Sequence, residues 1–350
     1  MITPPWLDDE AALVLVDWSW WLNKSFALFG LEGMTSSVVG TLCGLLAYRP
    51  AQLAICLDSP GETHRHRMRH PADETWRYKG KRDPKPREFY ELSDRLTKLA
   101  ELHAIPILWC DKREADDVIG TATARARAAG YRVWICSADK DLCGLVEEDA
   151  RSGTVVGTWN NYEGTWRGVA EVRAQFGVLP SQMADFLAIA GDGVDAVPGV
   201  PGLGKEKAAA LLGLFPTLED ALAAPPWPAE QYAIVEGNLR AMAKRIKITS
   251  DPDARAAIER QRGEMMHARQ LAKWHALLLE HADLARFSRD LTSLDCDASI
   301  SIPWEDLPVG GFDVAGLASR LHALGFTQKA REVPGFPKRA PWVIPYEDAY

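Results

Sequence analysis

The amino-acid sequence predicts an α/β fold with a mostly parallel central sheet. Short apolar runs rich in Val, Ile, Leu and Trp alternate with segments of helical spacing, the pattern of successive strands and helices. The runs are continuously apolar, as in parallel strands that helices cover on both faces. Strands are predicted at 12–17, 52–58, 105–110 and 131–136, and helices at about 35–48, 87–103 and 115–129.

From about residue 170 the pattern changes to helices joined by tight turns. Pro180 and Ser181 open a predicted helix that runs through Ala190, because both residue types are common at a helix start. The remaining expectations are a second helix over about 204–213, a loop over 224–230, helices over 231–290 and an extended proline-rich tail from 333.

Composition favours a soluble globular protein, since 47% of residues are hydrophobic and 25% are charged. No apolar run approaches the ~18–20 residues of a membrane span, and the N-terminus lacks the pattern of a signal peptide. We therefore expect a cytoplasmic protein without a membrane partner. The six cysteines form no CxxC pair, which argues against a disulfide framework or a zinc site.

Net charge says little about a nucleic-acid partner. The value of −8 argues against one at first, because binding to phosphates usually needs a basic surface. Residues 62–87, however, hold nine Lys/Arg and three His against four Asp/Glu. A charge run of this kind is usually a solvated face, and only its neighbours in the fold can decide its role.

Acidic residues stand at the ends of all four predicted strands. They are Asp17, Asp58, Glu114, Asp116, Asp117, Asp139 and Asp141. Ligands of an open parallel sheet bind outside the carboxyl ends of its strands, so we predict a carboxylate site at this edge. A further pair, Asp192 and Asp195, lies in a glycine turn of the helical half.

These nine acids suit a pair of Mg²⁺ ions. Magnesium is a hard cation that takes oxygen ligands, and two ions about 3.5–4 Å apart can activate water and stabilise the attacking and leaving oxygens of a phosphodiester. Taken singly, each acidic group has a simpler interpretation as a helix start, a cap or a turn. The shared sheet edge is what favours the metal interpretation.

Three sequence blocks closely resemble motifs of the 5′ nuclease family, in order and in spacing. They read DKREADDVIG, CSADKDLCGLV and AIAGDGVDAVPGVPGLGKEKAAALL. The family includes the N-terminal nuclease domain of bacterial DNA polymerase I, phage 5′ exonucleases with RNase H activity and the flap endonucleases. The resemblance implies a PIN-like domain over 1–175 with a helical arch at 62–90, a helix-three-turn-helix region over 176–300 that contains a helix-hairpin-helix, and a closing segment and tail over 301–350.

The resemblance also implies a division of the acids between two metals. Asp17, Asp58, Glu114, Asp116 and Asp139 are similar to the set around the first ion. Asp141, Asp192 and Asp195 are similar to the set around the second ion, with Asp117 and Asp139 nearby and shared. Two Mg²⁺ ions are implied, with Mn²⁺ able to substitute.

Further residues match the parts of the family that hold DNA. In the arch, the family's Tyr-Lys-x-x-Arg stretch matches Tyr78, Lys79 and Arg82; the lysine and arginine are expected to stabilise charge in the transition state, and Trp76 or Tyr78 to stack on an unpaired base. Arg65 and Arg67 are alternative matches to the family's arch arginine. The hairpin matches are Gly199, Gly202, Gly204, Lys205 and Lys207, where backbone amides can meet phosphates and carbonyls can hold K⁺.

Two positions depart from the family pattern. A Tyr-Arg pair of the family is replaced by Asn23 and Lys24, so Lys24 is left as a phosphate contact, with Trp20 or Trp21 to replace the tyrosine.

FSRDLTSLDCD (287–297) resembles the segment that closes the nuclease domain and makes Arg289 a possible duplex contact. KRIKITSD (244–251) is an alternative match for that segment.

The expected function is hydrolysis near DNA 5′ ends, flaps or nicks by a monomeric, stand-alone bacterial or phage enzyme, with RNA–DNA hybrids as further substrates. The alternative from another class is a 5′-end or junction binder with little turnover. A PIN-like ribonuclease would share the acidic edge but would not need the hairpin or the Asp192–Asp195 pair.

Overall fold

A computed structural model describes residues 12–47, 50, 52–149, 154–302, 307 and 314–323. The proline-rich tail from 333 lies outside these residues. The described chain forms two compact units. The first unit comprises the residues up to Met68, Arg82–Val172 and the residues from Leu294, and the second comprises Arg69–Lys81 and Arg173–Ser293.

The first unit is built on a seven-stranded sheet of described residues. Its strands are β1 Ala12–Asp17, β2 Gln52–Cys56, β3 Ile107–Leu108, β4 Arg132–Cys136, β5 Glu147–Asp149, β6 Thr154–Asn160 and β7 Thr165–Arg167. The order is β3-β2-β1-β4-β6-β5, with β7 paired to β6, and all pairings from β3 through to β6 are parallel. The mostly parallel sheet predicted from the apolar runs is confirmed.

The strands differ from the prediction at two places. The third is only two residues long, and Pro106 precedes it, a residue that has no N–H to donate to a ladder. The hairpin of β6 and β7 and the edge strand β5 were not predicted. β5 and β7 have three residues each and pair antiparallel with β6, and the apolar run of β6 (TVVGTWN) is interrupted by Gly157 and Thr158, so these strands lack the continuous apolar signal of the central four.

Helices cover both faces of this sheet. They are α1 Trp18–Ala47, α2 Arg87–Leu102, α3 Ala115–Ala128 and, farther on, α11 Val314–Ala323. A further helix, α4 Val169–Phe176, follows β7. Two buried apolar clusters result, one centred on α1 and α2 and one on α3. Five of the six cysteines are buried, and none of the six is bonded to another.

Helix α1 is longer than predicted and is interrupted at Gly30, whose φ of 63° is not helical. Its residues 18–46 are long and apolar enough to cross a membrane by length and composition alone, which corrects the expectation that no segment reaches that length. Trp18, Trp21 and Leu42 on this helix belong to the buried cluster against the sheet. Such packing is the environment of a core helix.

The second unit is helical. It contains α5 Met183–Ala190, α6 Lys205–Leu212, α7 Leu218–Ala223, α8 Ala229–Ile248, α9 Pro252–Glu280 and α10 Ala282–Thr292, together with the C-terminal part of α4. A 3-10 turn over Pro180–Gln182 opens α5, so the two helices around the glycine turn and the helical stretch beyond 230 are confirmed.

The segment expected to form a helical arch is different. Between 62 and 86 it contains one 3-10 turn, His64–Arg67, and otherwise turns and irregular backbone; the regular helix begins only at Arg87. The segment is also divided, because Arg69–Lys81 pack with the second unit. Prolines 71, 84 and 86 explain the lack of helix, since proline removes a donor and clashes with the preceding turn.

Candidate active site and hairpin

Asp17 is the last residue of β1 and is held by two hydrogen bonds. Its Oδ1 accepts from the backbone N–H of Trp20 at 2.9 Å, and its Oδ2 accepts from the hydroxyl of Ser137 at 2.8 Å. The side chain is buried. Burial and the neighbouring charges of Asp139 and Asp58 raise the pKa of Asp17 to about 7, against the lowering effect of the two hydrogen bonds. The carboxylate is therefore fixed in place and close to other acids.

Asp58 and Asp139 follow the two strands that flank β1. Asp58 Oδ1 accepts from the N–H of Ala115, the first residue of α3, at 2.8 Å. Asp139 Oδ1 accepts from the N–H of Asp141 at 3.2 Å, and its own N–H donates to Ser137 Oγ at 3.0 Å. Within the described part of the chain, no hydrogen-bond donor contacts the second carboxylate oxygen of Asp58 or of Asp139. Those oxygens stay available as ligands.

Asp116 lies in the first turn of α3. Burial raises the pKa of the Cys56 thiol at the end of β2, and the charges of Asp17 and Asp116 raise it further. The acids that follow β1, β2, β3 and β4 therefore approach one another at one edge of the sheet, as predicted.

Glu114 and Asp117 have a different role, because Arg65 binds both. Its guanidinium donates to Asp117 Oδ1 and Oδ2 at 2.8 Å each and to Glu114 Oε2 at 3.0 Å, and all three side chains are buried. The backbone N–H of Asp295 donates to Asp117 Oδ1 at 2.9 Å. Burial raises the pKa of Asp117, but the hydrogen bonds and charge of Arg65 outweigh it and hold that pKa below the usual value.

This arrangement corrects two predictions. Arg65 is 2% exposed, so it does not contact DNA; of the two alternatives, Arg67 is the exposed arginine. Both oxygens of Asp117 already accept from Arg65, so the cation that it binds is a guanidinium and not a metal. Glu114 shares that guanidinium and caps α3.

The three arch residues that match the family motif differ in their exposure and in their contacts. Tyr78 is 6% exposed, and the Lys79 ammonium lies 5.0 Å from the centre of its ring, so the prediction that Tyr78 stacks on a base is wrong. Lys79 has a left-handed φ of 54°, and its N–H donates to the carbonyl of Asp195 at 3.0 Å. Arg82 is exposed on the first unit.

Asp192 and Asp195 form a tight turn in the second unit. The backbone groups of Asp192 and Val197 exchange two hydrogen bonds, at 2.9 and 2.8 Å, and Asp192 Oδ1 accepts from the N–H of Val194 at 3.1 Å. Ala196 has a φ of 60°, uncommon for a residue with a Cβ. Its carbonyl accepts from the indole N–H of Trp76 at 2.7 Å. Sequence reasoning missed this anchor, because nothing local links residues 76 and 196.

The same turn borders a cavity of about 410 Å³ within the second unit, lined on one side by His70, Trp76 and Lys81. The three aromatic rings of His70, Trp76 and Phe287 pack edge to face or tilted, with centres 5.1–6.0 Å apart. Trp76 is thus fixed by packing as well as by its hydrogen bond.

The glycine hairpin depends on close backbone contact. A Cβ on Gly199, where φ is 66°, would lie 2.4 Å from the N atom of Gly191. Gly202 also has a left-handed φ, 82°, and Gly204 precedes α6. The exposed Lys205 starts that helix, whereas the Lys207 ammonium donates to the carbonyl of Gly202 at 2.7 Å and lies 5.8 Å from the Trp274 ring.

Three further predicted sites have contacts or burial that the sequence did not indicate. Arg289 is half-buried and binds the carboxylate of Asp185 and the hydroxyl of Ser293, and its role as a duplex contact stays a prediction. Trp21 is buried and donates to the carbonyl of Cys136, which leaves only the half-buried Trp20 for stacking. Lys24 is half-buried on α1.

The donor set suits a divalent metal chemically. The acids offer only hard oxygen ligands, which Mg²⁺ and Mn²⁺ prefer, and Asp58 and Asp139 keep carboxylate oxygens without donors. As the side chains stand, no group of three or more His, Cys, Asp and Glu within the described ranges is arranged to hold an ion.

Fold and site together define a PIN-like α/β protein with a helix-hairpin-helix module. Residues 13–177 match the model of the 5′–3′ exonuclease N-terminal resolvase-like domain, and residues 178–315 match that of the 5′–3′ exonuclease C-terminal SAM fold. The chain belongs to the 5′–3′ exonuclease family.

Known relatives agree with this assignment. DNA polymerase I of Synechocystis is 28% identical over 89% of the chain, and a 5′–3′ exonuclease of Buchnera aphidicola is 30% identical over 55% of the chain. The chain spans 29% of the length of the first relative and 58% of the second. The fold is similar to that of the T5 5′-exonuclease with bound divalent zinc (TM-score 0.52, 19% identity), over 80% of this chain and 98% of the other.

Proposed function

We propose that the protein is a 5′ nuclease that hydrolyses phosphodiesters near DNA 5′ ends, as a 5′–3′ exonuclease and flap endonuclease, and leaves 5′ phosphates. The observation that carries the proposal is the convergence of Asp17, Asp58, Asp116 and Asp139 at the carboxyl edge of the sheet. Family membership supports it.

Mg²⁺ is the proposed cofactor, with Mn²⁺ as a substitute. When bound, two such ions supply an activated water and stabilise the charge on both reacting oxygens. Asp17, Asp58, Asp116 and Asp139 are the proposed ligands of the first ion. For the second we propose Asp141, Asp192 and Asp195, on the strength of the motifs that contain them.

The chain's own residues keep these ligands in position. Ser137 donates its hydroxyl to the carboxylate of Asp17, and the same Oγ accepts from the backbone N–H of Asp139, so one small residue holds the side chain of Asp17 and the backbone of Asp139. The N–H of Ala115 fixes Asp58. Preorganised ligands lose less conformational entropy when they bind, and this is the physical value of the arrangement.

Lys79 and Arg82 are proposed to stabilise negative charge that develops on the phosphate, a role in which losing one donor costs roughly 10²–10³ in rate. The amides of the Gly199–Gly204 hairpin and Lys205 would hold the duplex by its phosphates, without reading sequence. Arg67, Lys24 and Lys207 are further proposed phosphate contacts. K⁺ in the hairpin stays a prediction from the resemblance, and the Lys207 ammonium already occupies the Gly202 carbonyl.

RNA–DNA hybrids as additional substrates and action as a monomer belong to the same proposal. The relatives named above are bacterial DNA-processing proteins, which supports action in the cytoplasm of a bacterium or of a bacterium infected by a phage.

End-labelled flap, nicked and RNA-primed duplexes test the proposal. We expect cleavage with Mg²⁺ or Mn²⁺, none with EDTA, and products whose length shows where the cut falls. Asp139→Asn should abolish cleavage and retain DNA binding. The matched control is Asp94→Asn on the exposed face of α2, which should cleave normally. Binding without cleavage in both metals would overturn the proposal in favour of a non-catalytic 5′-end binder.

The Lys79→Ala variant distinguishes a role of Lys79 in the chemical step from a role in DNA binding. Turnover at saturating DNA should fall if the ammonium acts on the reacting phosphate. Unchanged turnover with a raised KM would make Lys79 a binding residue only.

A further inference from the structure

Helices α8 and α9 form a long antiparallel hairpin beyond the glycine hairpin, within the second unit. Val235, Leu239 and Met242 of α8 are buried on its inner face. Arg269 of α9 binds Glu236 of α8, which fixes the register of the two helices. The connection between them lies at 249–251.

One face of α8 is basic. Residues 237–250 contain Arg240, Lys244, Arg245 and Lys247 and no acid, in a chain whose net charge is −8. All four side chains are exposed, and no acid of the described part of the chain lies within ion-pair distance of them. Arg240, Lys244 and Lys247 follow the spacing that places residues on a single helix face, opposite the buried seam.

This contrasts with α9, where acids accompany the cations. Arg255 pairs with Glu259 at 3.2 Å, four residues farther along the helix. Such pairing is the ordinary arrangement of a solvated helix face. The unpaired cations of α8 are therefore not explained by stability, because adjacent like charges repel one another.

The basic face lies at a distance from the glycine hairpin that duplex DNA can span. Trp274 of α9 packs under Lys207, and a Cβ on Gly202 would lie 3.2 Å from Leu277, so this end of α9 adjoins the glycine hairpin. In the register set by Arg269 and Glu236, the face from Arg240 to Lys247 starts about 14 Å from Trp274 and ends about 24 Å from it, at 1.5 Å per residue. At about 3.4 Å per base pair, this corresponds to about 4–7 base pairs of duplex.

We propose that Arg240, Lys244 and Lys247 form a second binding site for the phosphate backbone of duplex DNA, farther along the same duplex that the glycine hairpin holds. The site extends the proposed function, on which it rests, by giving the protein a preference for long duplex arms. Arg245, on the flank of the same helix, adds to the positive potential.

The test measures DNA binding without cleavage, by fluorescence anisotropy in EDTA over a series of salt concentrations. The probes are loop-closed flap substrates with duplex arms of about 8 and about 20 base pairs, shorter and longer than one helical turn. The variant is Arg240→Gln/Lys244→Gln/Lys247→Gln. Its matched control, Lys98→Gln/Arg173→Gln/Arg320→Gln, removes the same charge from other exposed positions.

The wild-type protein should bind the long arm more tightly than the short arm, and the variant should lose that difference. Its salt slope on the long arm should also fall by about 2–3, since each phosphate contact contributes about 0.9. Lys244→Arg/Lys247→Arg should behave as the wild type. The control should keep both the length preference and the slope.

An unchanged length preference and salt slope in the triple variant would overturn the proposal, and so would a wild-type protein that binds both arms equally. Cleavage of the short-arm flap in Mg²⁺ is scored separately. If it is present while the length preference is absent, the nuclease proposal stands and the second site fails.

Discussion

The guanidinium of Arg65 forms two parallel hydrogen bonds with the carboxylate of Asp117, each 2.8 Å long, and both side chains are buried. Bidentate, charge-assisted pairs of this kind are among the stronger polar contacts in proteins. The pair joins the 3-10 turn after β2 to the start of α3. It thereby supports the stretch that contains Asp58 and Asp116.

Removing Arg65 should therefore destabilise the protein. Arg65→Gln leaves buried carboxylates without their cation, which costs about 3–5 kcal/mol, and chemical denaturation should show a loss of that size. Arg67→Gln is the control, because Arg67 is exposed and exposed substitutions change stability by less than about 0.5 kcal/mol. Normal stability of Arg65→Gln with weakened DNA binding would restore the DNA-contact role.

Trp76 should act as a positioning residue for the acidic turn. Trp76→Phe keeps an aromatic ring against Phe287 but removes the donor to the Ala196 carbonyl, at a cost of about 1–3 kcal/mol for a buried acceptor left unsatisfied. On the proposed function, cleavage should need more Mg²⁺ for half-maximal rate, with DNA affinity in EDTA unchanged.

Trp166→Phe, at an exposed position of β7, controls for the loss of an indole. If Trp76→Phe lowered DNA affinity in EDTA and left the Mg²⁺ requirement as it was, Trp76 would contact DNA instead of holding the turn.

Two glycines of the hairpin should respond differently to alanine. Gly199→Ala places a Cβ within 2.4 Å of a backbone atom and at a left-handed φ, so the second unit should lose its cooperative unfolding transition or unfold at a much lower temperature. Gly204→Ala meets open space at a φ of −78° and should cost less than about 1 kcal/mol, while weakening the contact with a phosphate. Equal thermal stability of the two variants would refute this account.

Asp185 should be important for the stability of the helical unit. It is buried, binds Arg289 and accepts from the N–H of Leu218 at 3.0 Å. Asp185→Ala removes the partner of a cation and of a helix start, and we expect a loss of about 2–4 kcal/mol in urea unfolding. Asp290→Ala, on the same helix as Arg289, is the comparison; an equal effect of both changes would show that Asp185 has no special role.

Local patterns explain why much of this was predictable. Asp17 and Asp58 are recognised as strand-end acids because the continuous apolar runs before them identify buried parallel strands. The glycine hairpin is equally local, since its glycines, prolines and following helix lie within one short stretch.

Contacts between distant segments were not predictable in this way. Arg65 and Asp117 are 52 residues apart, Asp117 and Asp295 are 178 apart, and Trp76 and Ala196 are 120 apart. No periodicity links such positions, so Arg65 and Asp117 were expected on DNA and on a metal, respectively. The prediction of a helical arch was wrong for another reason: the resemblance implied a helix, whereas the prolines of this segment oppose one.

The chain passes between its two units at 68–69, 81–82, 172–173 and 293–294. A gene fusion or recombination event with one breakpoint could therefore not transfer either unit intact to another protein. The stretch from Leu294 is needed by the first unit, since Asp295 binds Asp117 and Arg113. We therefore expect recombination to transfer both units together. The acidic edge and the glycine hairpin should then be inherited, and evolve, as parts of one gene segment.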